Sequence, residues 1–233
     1  PTTELDAFLK KTYAFVDQLA EAGHEILADS ATWTYRIWRF PYQSFSTFAG
    51  NPYFIDLEEF IQRDLLTAQE CAQCDWGGSL SYVDYEKIYH SRFALLRKAY
   101  HRFYQMDTKK KELELLREAM EAFEKEQGFW LEDYCLYMAV KDSLEGISWN
   151  EWPEELKTRK PEALAKARQV LREDISFYAF QQFWFYRQWS QLKNMPMTGI
   201  SGSLETCPFT LPLTAQMHGQ TRICSSLMRT LRR

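Results

Sequence analysis

The chain has 233 residues, of which 45% are hydrophobic and 26% charged, with a formal net charge of -4. This size and apolar content suffice for a buried core, whereas the weakly acidic charge gives no electrostatic reason to expect nucleic acid or an anionic membrane as partner. No apolar run approaches the roughly 20 residues that span a bilayer, and five cysteines without framework spacing predict a reducing, cytoplasmic location.

In chain order, the first informative stretch runs from Pro41 to Pro52 and reads PYQSFSTFAGNP. Tyr42 and Gln43 place an aromatic ring beside an amide, ahead of a Gly-Asn-Pro turn. Proteins bind sugars with such pairs, because the ring covers apolar C–H faces while the amide pairs with the sugar's oxygens. The composition fits equally an ordinary turn after a strand. The following piece, Tyr53 to Leu57, reads as a short strand.

Apolar residues at helical spacing predict α-helices through the middle of the chain. One stripe follows Asp84, a second lies between a candidate cap at Asp107 and a stop at Gly128, and Pro161 suits the first position of a third helix. The two stripes consist of Tyr85, Ile88, Leu95, Leu96 and Phe103, and of Leu113, Leu116, Met120 and Phe123. On pattern alone the chain is an all-helical domain.

Five carboxylates are candidates for acid and base chemistry: Glu58, Glu59, Asp133, Glu154 and Glu155. The two glutamate pairs stand at predicted helix starts, where acidic residues serve the helix dipole. We expect none of the five to be catalytic.

The chain offers little for a metal ion or for nucleic acid. Cys71 and Cys74 form a lone CxxC, and neither His90 nor Cys135 is placed by sequence to complete a zinc site. Lysines 109–111 read as a solvated helix face, and the arginines near the end of the chain as an incidental basic tail. The sequence therefore predicts no metal and no nucleic-acid partner.

Four stretches together carry a family resemblance. The run from Pro41 to Pro52 resembles the SPYQSFSAFAGNP signature of the 4-alpha-glucanotransferases (amylomaltase or disproportionating enzyme), of the alpha-amylase superfamily. Trp130 to Lys141 resembles the family's WLxDYALFMALK helix, Trp149 to Pro153 its WxxWP element, and Ile175 to Lys193 its IxFxxFxQxxFxxQWxxLK helix. Four aromatics of that last helix are expected to fill a core: Phe177, Phe180, Phe183 and Trp184.

The resemblance implies the N-terminal part of a (β/α)8 TIM barrel that carries a largely α-helical inserted subdomain, so that this stretch itself is mostly α. The expected domains are the start of the barrel with the sugar-binding loop at 1–55, a helical insert at 56–173, a helix returning to the barrel at 174–193, and a tail at 194–233. A stretch without the later strands cannot close a barrel.

Three segments depart from the family: residues 1–11, 25–40 and 194–233. For residues 25–40, an offset reading frame with permitted codons gives YWQILPLGPTGYGD, which resembles the family's strand and loop at that point. An offset frame of the tail likewise yields a string similar to the family's next strand. We hypothesise that these segments are translated out of frame from a longer glucanotransferase gene.

The resemblance implies an enzyme, a glycosyltransferase of carbohydrate metabolism that moves a segment of an alpha-1,4-glucan to the 4-position of an acceptor sugar by retaining double displacement, without a cofactor. Its partners would be alpha-1,4-glucans, maltooligosaccharides and glucose, with no nucleic acid and no membrane.

Only some of the family's site residues have a match in this chain. Tyr42 matches the family's sugar-contacting tyrosine, with Gln43 beside it, whereas the preceding family serine is Phe40 here. The family's catalytic carboxylates lie on later strands and have no counterpart in the chain, which is expected to be inactive alone. The alternative is a non-catalytic helical module that binds glucan or a protein partner.

Overall fold

The computed structural model describes residues 46–77, 84–105 and 111–193. Within these ranges the chain forms α-helices and two single 3₁₀ turns, and no strand. The helices are α1 (Glu58–Gln62), α2 (Ala68–Ala72), α3 (Tyr85–Gln105), α4 (Lys111–Glu126), α5 (Gly128–Ser143), α6 (Glu154–Lys157), α7 (Pro161–Val170) and α8 (Arg172–Lys193). The prediction of a mostly helical stretch is confirmed over the described residues.

The helix ends follow local sequence signals. Pro161 is the first residue of α7, as predicted, since its fixed φ suits a position whose N–H needs no partner. Asp84 precedes α3 and accepts a hydrogen bond at Oδ1 from the Lys87 amide at 3.3 Å. Thr67 and Glu70 form a reciprocal capping box at the start of α2.

The prediction of a strand from Tyr53 to Leu57 is wrong. Pro52–Phe54 is a 3₁₀ turn, capped by Asn51 Oδ1, which accepts from the Tyr53 amide at 2.9 Å. Pro52 presets φ for a turn and Asn51 caps it, so local chemistry outweighs the apolar composition.

The described residues fall into two compact units, the first of which holds those of Asn51–Leu116 together with 184–193. Trp184 is fully buried at its centre, with its ring 4.7 Å from that of Phe60 and 6.4 Å from that of Phe103. The guanidinium carbons of Arg63 and Arg187 lie 5.7 and 6.0 Å from the Trp184 ring centre. Cation–π attraction therefore adds to the packing around this indole.

The second unit holds residues 46–50 and Arg117–Phe183. One part of its core consists of Leu136, Val140 and Trp152. In another part the Phe123 and Phe183 rings lie 5.9 Å apart. The four aromatics expected in a core, Phe177, Phe180, Phe183 and Trp184, are all buried, which confirms that prediction.

Among the residues that the structure describes, no helix has the length and apolar character needed to cross a membrane.

Candidate functional site

The predicted sugar-contacting pair, Tyr42 and Gln43, lies outside the described residues. The structure does describe the rest of the motif and the piece that follows it, from Ser46 to Leu57. We call residues 46–57 the signature loop. It contains a single 3₁₀ turn, so most of its backbone groups must find partners outside regular structure.

Gln182 of α8 pairs with the backbone of Gly50 in the second unit. Its Oε1 accepts from the Gly50 amide at 2.8 Å, and its Nε2 donates to the Gly50 carbonyl at 3.1 Å. Both residues are buried, Gln182 completely. One side chain thus satisfies both backbone groups of one residue, as a neighbouring strand would.

Gln188 of α8 makes the same kind of pairing with Asp56 in the first unit. Its Oε1 accepts from the Asp56 amide at 2.8 Å, and its Nε2 donates to the Asp56 carbonyl at 3.2 Å and to Glu59 Oε2 at 2.8 Å. The sequence separation is 132 residues in both glutamine pairs. The same six-residue step therefore separates the two glutamines and their two backbone partners.

Arg92 of α3 holds the middle of the signature loop. Its side chain is fully buried, with Nε donating to the Tyr53 carbonyl at 3.1 Å and Nη2 to the Ile55 carbonyl at 2.9 Å. A guanidinium stays charged in a protein, so its burial depends on such charge-assisted hydrogen bonds. These bonds fix two carbonyls on either side of Phe54.

The Glu59 carboxylate is surrounded by cationic and amide donors. Arg63 Nη2 lies 3.1 Å and Arg187 Nε 3.3 Å from Oε1, while Gln188 Nε2 donates to Oε2. The Glu59 side chain is 12% exposed. The Glu59 carboxylate therefore connects α1 to α8, the helix whose Gln188 binds the backbone of the signature loop.

The other candidate carboxylates also have structural roles. Glu58 and Glu59 lie in the first turn of α1, and Glu154 and Glu155 in that of α6, as the dipole interpretation predicted. Asp133 Oδ1 accepts from Arg159 Nη2 at 2.7 Å.

The CxxC pair flanks the end of α2. Cys71 and Cys74 are partly buried free thiols, and burial raises the pKa of Cys74 above its usual value. The Cys74 thiol donates to the Glu70 carbonyl at 3.4 Å, and Trp76 Nε1 donates to the Cys71 carbonyl at 2.8 Å. Across the part of the chain that the structure describes, no three His, Cys, Asp or Glu side chains are grouped for a metal ion.

Gln182 and Gln188 are the two glutamines of the family motif in α8, but the motif does not indicate their role. The sequence did carry a signal for buried, hydrogen-bonded amides. Both glutamines stand among aromatic residues in one helix, and the residues from Phe177 to Phe185 are buried. Arg92 had no such signal, since arginine is common on helices and its burial is decided by tertiary packing.

Comparison with known proteins gives a consistent result. The 4-alpha-glucanotransferase family matches residues 6–198. The chain is 34% identical over 190 residues to a 4-alpha-glucanotransferase from Clostridium butyricum, covering 82% of the chain and 37% of that protein. It is 41% identical over 153 residues to one from Thermus thermophilus, covering 66% of the chain and 29% of that protein.

A solved structure agrees with these relatives. The amylomaltase from Streptococcus agalactiae, in complex with acarbose, matches with a TM-score of 0.70 at 30% identity, over 82% of the chain and 37% of that protein. The chain thus spans between 29% and 37% of the length of these proteins. On a family match to residues 6–198, the chain belongs to the 4-alpha-glucanotransferase family.

Proposed function

We propose that this chain is the N-terminal part of a 4-alpha-glucanotransferase, which moves a segment of an alpha-1,4-glucan to the 4-position of an acceptor sugar. The family match over residues 6–198 carries the proposal. The relatives from Clostridium butyricum and Thermus thermophilus bear the name 4-alpha-glucanotransferase, and the solved amylomaltase holds acarbose. Alpha-1,4-glucans, maltooligosaccharides and glucose are therefore the proposed donors and acceptors.

The proposed chemistry is retaining double displacement. One carboxylate attacks the anomeric carbon while a second protonates the departing sugar oxygen. In the second step the second carboxylate takes the proton of an acceptor hydroxyl, whose oxygen bonds to the anomeric carbon as the bond to the first carboxylate breaks. Glu59 and Asp133 are held in ion pairs with Arg187 and Arg159, which supports the expectation that neither supplies these groups. The catalytic carboxylates would come from later barrel strands, so we expect the chain alone to be inactive.

Within this chain, we propose that Tyr42 and Gln43 contact the substrate. A tyrosine ring can cover the apolar face of a glucose unit, and a glutamine amide can donate to and accept from its hydroxyls. The motif that contains them continues into the signature loop, whose backbone is held by Gln182, Arg92 and Gln188. Rigid support next to a binding pair is what selective sugar recognition requires.

The proposed architecture is a TIM barrel whose first strands border a helical insert at 56–173, with α8 returning to the barrel. The tail is proposed at 194–233, and the family match extends through its first five residues and ends at residue 198. The three described cysteines are free thiols, which supports a reducing, cytoplasmic compartment.

The test begins with the encoding DNA, sequenced through the codons for residues 25–40 and beyond codon 233. We expect single-nucleotide shifts that restore the family's strand and extend the frame to the catalytic carboxylates. The product of the restored frame should convert maltotriose into glucose and longer maltooligosaccharides. A confirmed frame that ends at Arg233 would sink the enzyme proposal and favour a helical binding module.

A further inference from the structure

We propose that Cys71 and Cys74 form a reversible disulfide by exchange with a small-molecule disulfide such as oxidised glutathione, so that the end of α2 is a site of redox modification. In the structure both cysteines are thiols, and both side chains are partly buried. The inference goes beyond the proposed function and does not depend on it. In a reducing compartment such a disulfide would be transient, as redox-sensing disulfides are.

The first argument is the spacing of the two cysteines. The Cys74 amide donates to the Cys71 carbonyl at 3.4 Å, which closes a turn at the end of α2. Such a turn keeps its first and fourth Cα atoms within about 7 Å, and residues three apart lie on one face of a helical turn. Disulfides join Cα atoms that are about 4.4–6.8 Å apart. The backbone therefore holds the two cysteines at a separation that suits a disulfide.

The second argument is the direction of the Cys74 side chain. Its thiol donates to the Glu70 carbonyl at 3.4 Å, so the sulfur points back along α2 toward the residue that directly precedes Cys71. Burial raises the pKa of Cys74 above its usual value, although the nearby Lys98 ammonium lowers it. A thiol with a raised pKa is a poor first nucleophile, so we assign the first attack to Cys71.

The exchange then proceeds in two balanced steps. The Cys71 thiolate attacks one sulfur of the small disulfide, which forms a mixed disulfide and releases one small thiol after proton uptake. The Cys74 thiolate attacks the Cys71 sulfur of the mixed disulfide, which forms the protein disulfide and releases the second small thiol. This step is intramolecular, so the nearness of the two groups offsets the small thiolate fraction of Cys74. Two protein thiols are oxidised, and one small disulfide is reduced to two thiols.

The third argument is that the turn is fixed on both sides. Before it, Arg102 of α3 donates to both oxygens of the Glu70 carboxylate at 2.7 Å. After it, Ser91 Oγ of α3 donates to the Asp75 carbonyl at 2.6 Å. Because these contacts already order the turn in the reduced protein, closing the disulfide costs little further conformational entropy. The structure therefore favours the protein disulfide over a lasting mixed disulfide.

Cys135 provides an internal control. It is fully buried in the second unit, and this burial raises the pKa of its thiol well above the usual value. A buried thiol of this kind is inert toward disulfides in solution. We therefore expect Cys135 to stay reduced while Cys71 and Cys74 react.

The experiment incubates the chain with oxidised glutathione and maps its thiols by mass spectrometry of peptides. Cys207 and Cys224, which lie outside the described residues, are changed to serine in every protein, so that only the three described thiols remain. We expect the loss of two hydrogen atoms, a link between Cys71 and Cys74, and full reversal by dithiothreitol.

Two single variants separate the two steps, with circular dichroism showing that each keeps its helices. Cys74→Ser should accumulate the mixed disulfide on Cys71, whereas Cys71→Ser should form about tenfold less adduct on Cys74 in the same time. Equal rates of adduct formation would overturn the assignment of Cys71 as the first nucleophile. A lasting glutathione adduct without the protein disulfide, or unreacted cysteines where a free dithiol is oxidised, would overturn the inference itself.

Discussion

At the scale of single residues, the signature loop shows how far a sequence pattern reaches. The motif predicts a loop before the first helix. The acidic pairs are expected at helix starts, and both pairs lie in the first turn of a helix. The strand predicted at Tyr53 to Leu57 does not form, because Asn51 caps and Pro52 begins a 3₁₀ turn there. Arg92 could not be identified, since its partners are the carbonyls of residues 37 and 39 positions earlier.

The Glu70 ion pair gives a pH-dependent prediction. Arg102 donates from both Nη atoms to the two Glu70 oxygens at 2.7 Å, and these bonds lower the pKa of Glu70 from 4.5 to about 2. A depressed folded-state pKa contributes stability above the unfolded value, which is lost as the pH falls toward 2. Glu70→Gln should cost about 1 kcal/mol at pH 7.

Urea unfolding of both proteins at several pH values measures this difference. We expect the two unfolding free energies to converge between pH 4.5 and pH 2. A difference that stays constant down to pH 2 would show that the Glu70 charge is not what stabilises this contact.

Arg92 gives a second residue-scale prediction. Arg92→Met leaves the carbonyls of Tyr53 and Ile55 without these donors, and should lower the free energy of unfolding by about 2 kcal/mol or more. Arg168→Met, on the exposed side of α7, is the control and should change it by less than about 0.5 kcal/mol. Equal effects in chemical unfolding would refute the assigned role.

At the scale of elements, α8 was predicted most fully. Its aromatic positions were expected in a core and are buried, and its expected start at residue 174 differs from the observed Arg172 by one turn or less. The pattern could not predict which groups the glutamines of α8 bind. Hydrophobic spacing identifies a buried face, but it does not say which backbone a buried amide will meet.

Gln188 gives the element-scale prediction. Gln188→Leu leaves the Asp56 amide and carbonyl without their side-chain partner and removes a donor from Glu59, so the free energy of unfolding should fall by about 2–3 kcal/mol. Gln191→Leu, exposed on the same helix, should have little effect. Thermal unfolding of the two variants distinguishes them, and similar melting temperatures would contradict the account.

At the scale of the whole molecule, family resemblance predicted what composition could not. Pattern alone gave a helical domain, and the described residues bear this out. The transferase family followed from four motifs in order and is shown by the match to residues 6–198. The barrel stays a prediction, because its strands depend on segments outside the described residues and on length that the chain does not cover.

The central claim is that this chain carries the glucan-contacting loop of its family, and calorimetric titration of the chain with maltoheptaose tests it most directly. Cellohexaose, the β-1,4-linked counterpart, is the control ligand, and Tyr42→Ala is the control variant. The account predicts saturable binding of maltoheptaose, none of cellohexaose, and at least a tenfold loss in Tyr42→Ala. Equal heats for both sugars, or undiminished binding by Tyr42→Ala, would contradict it.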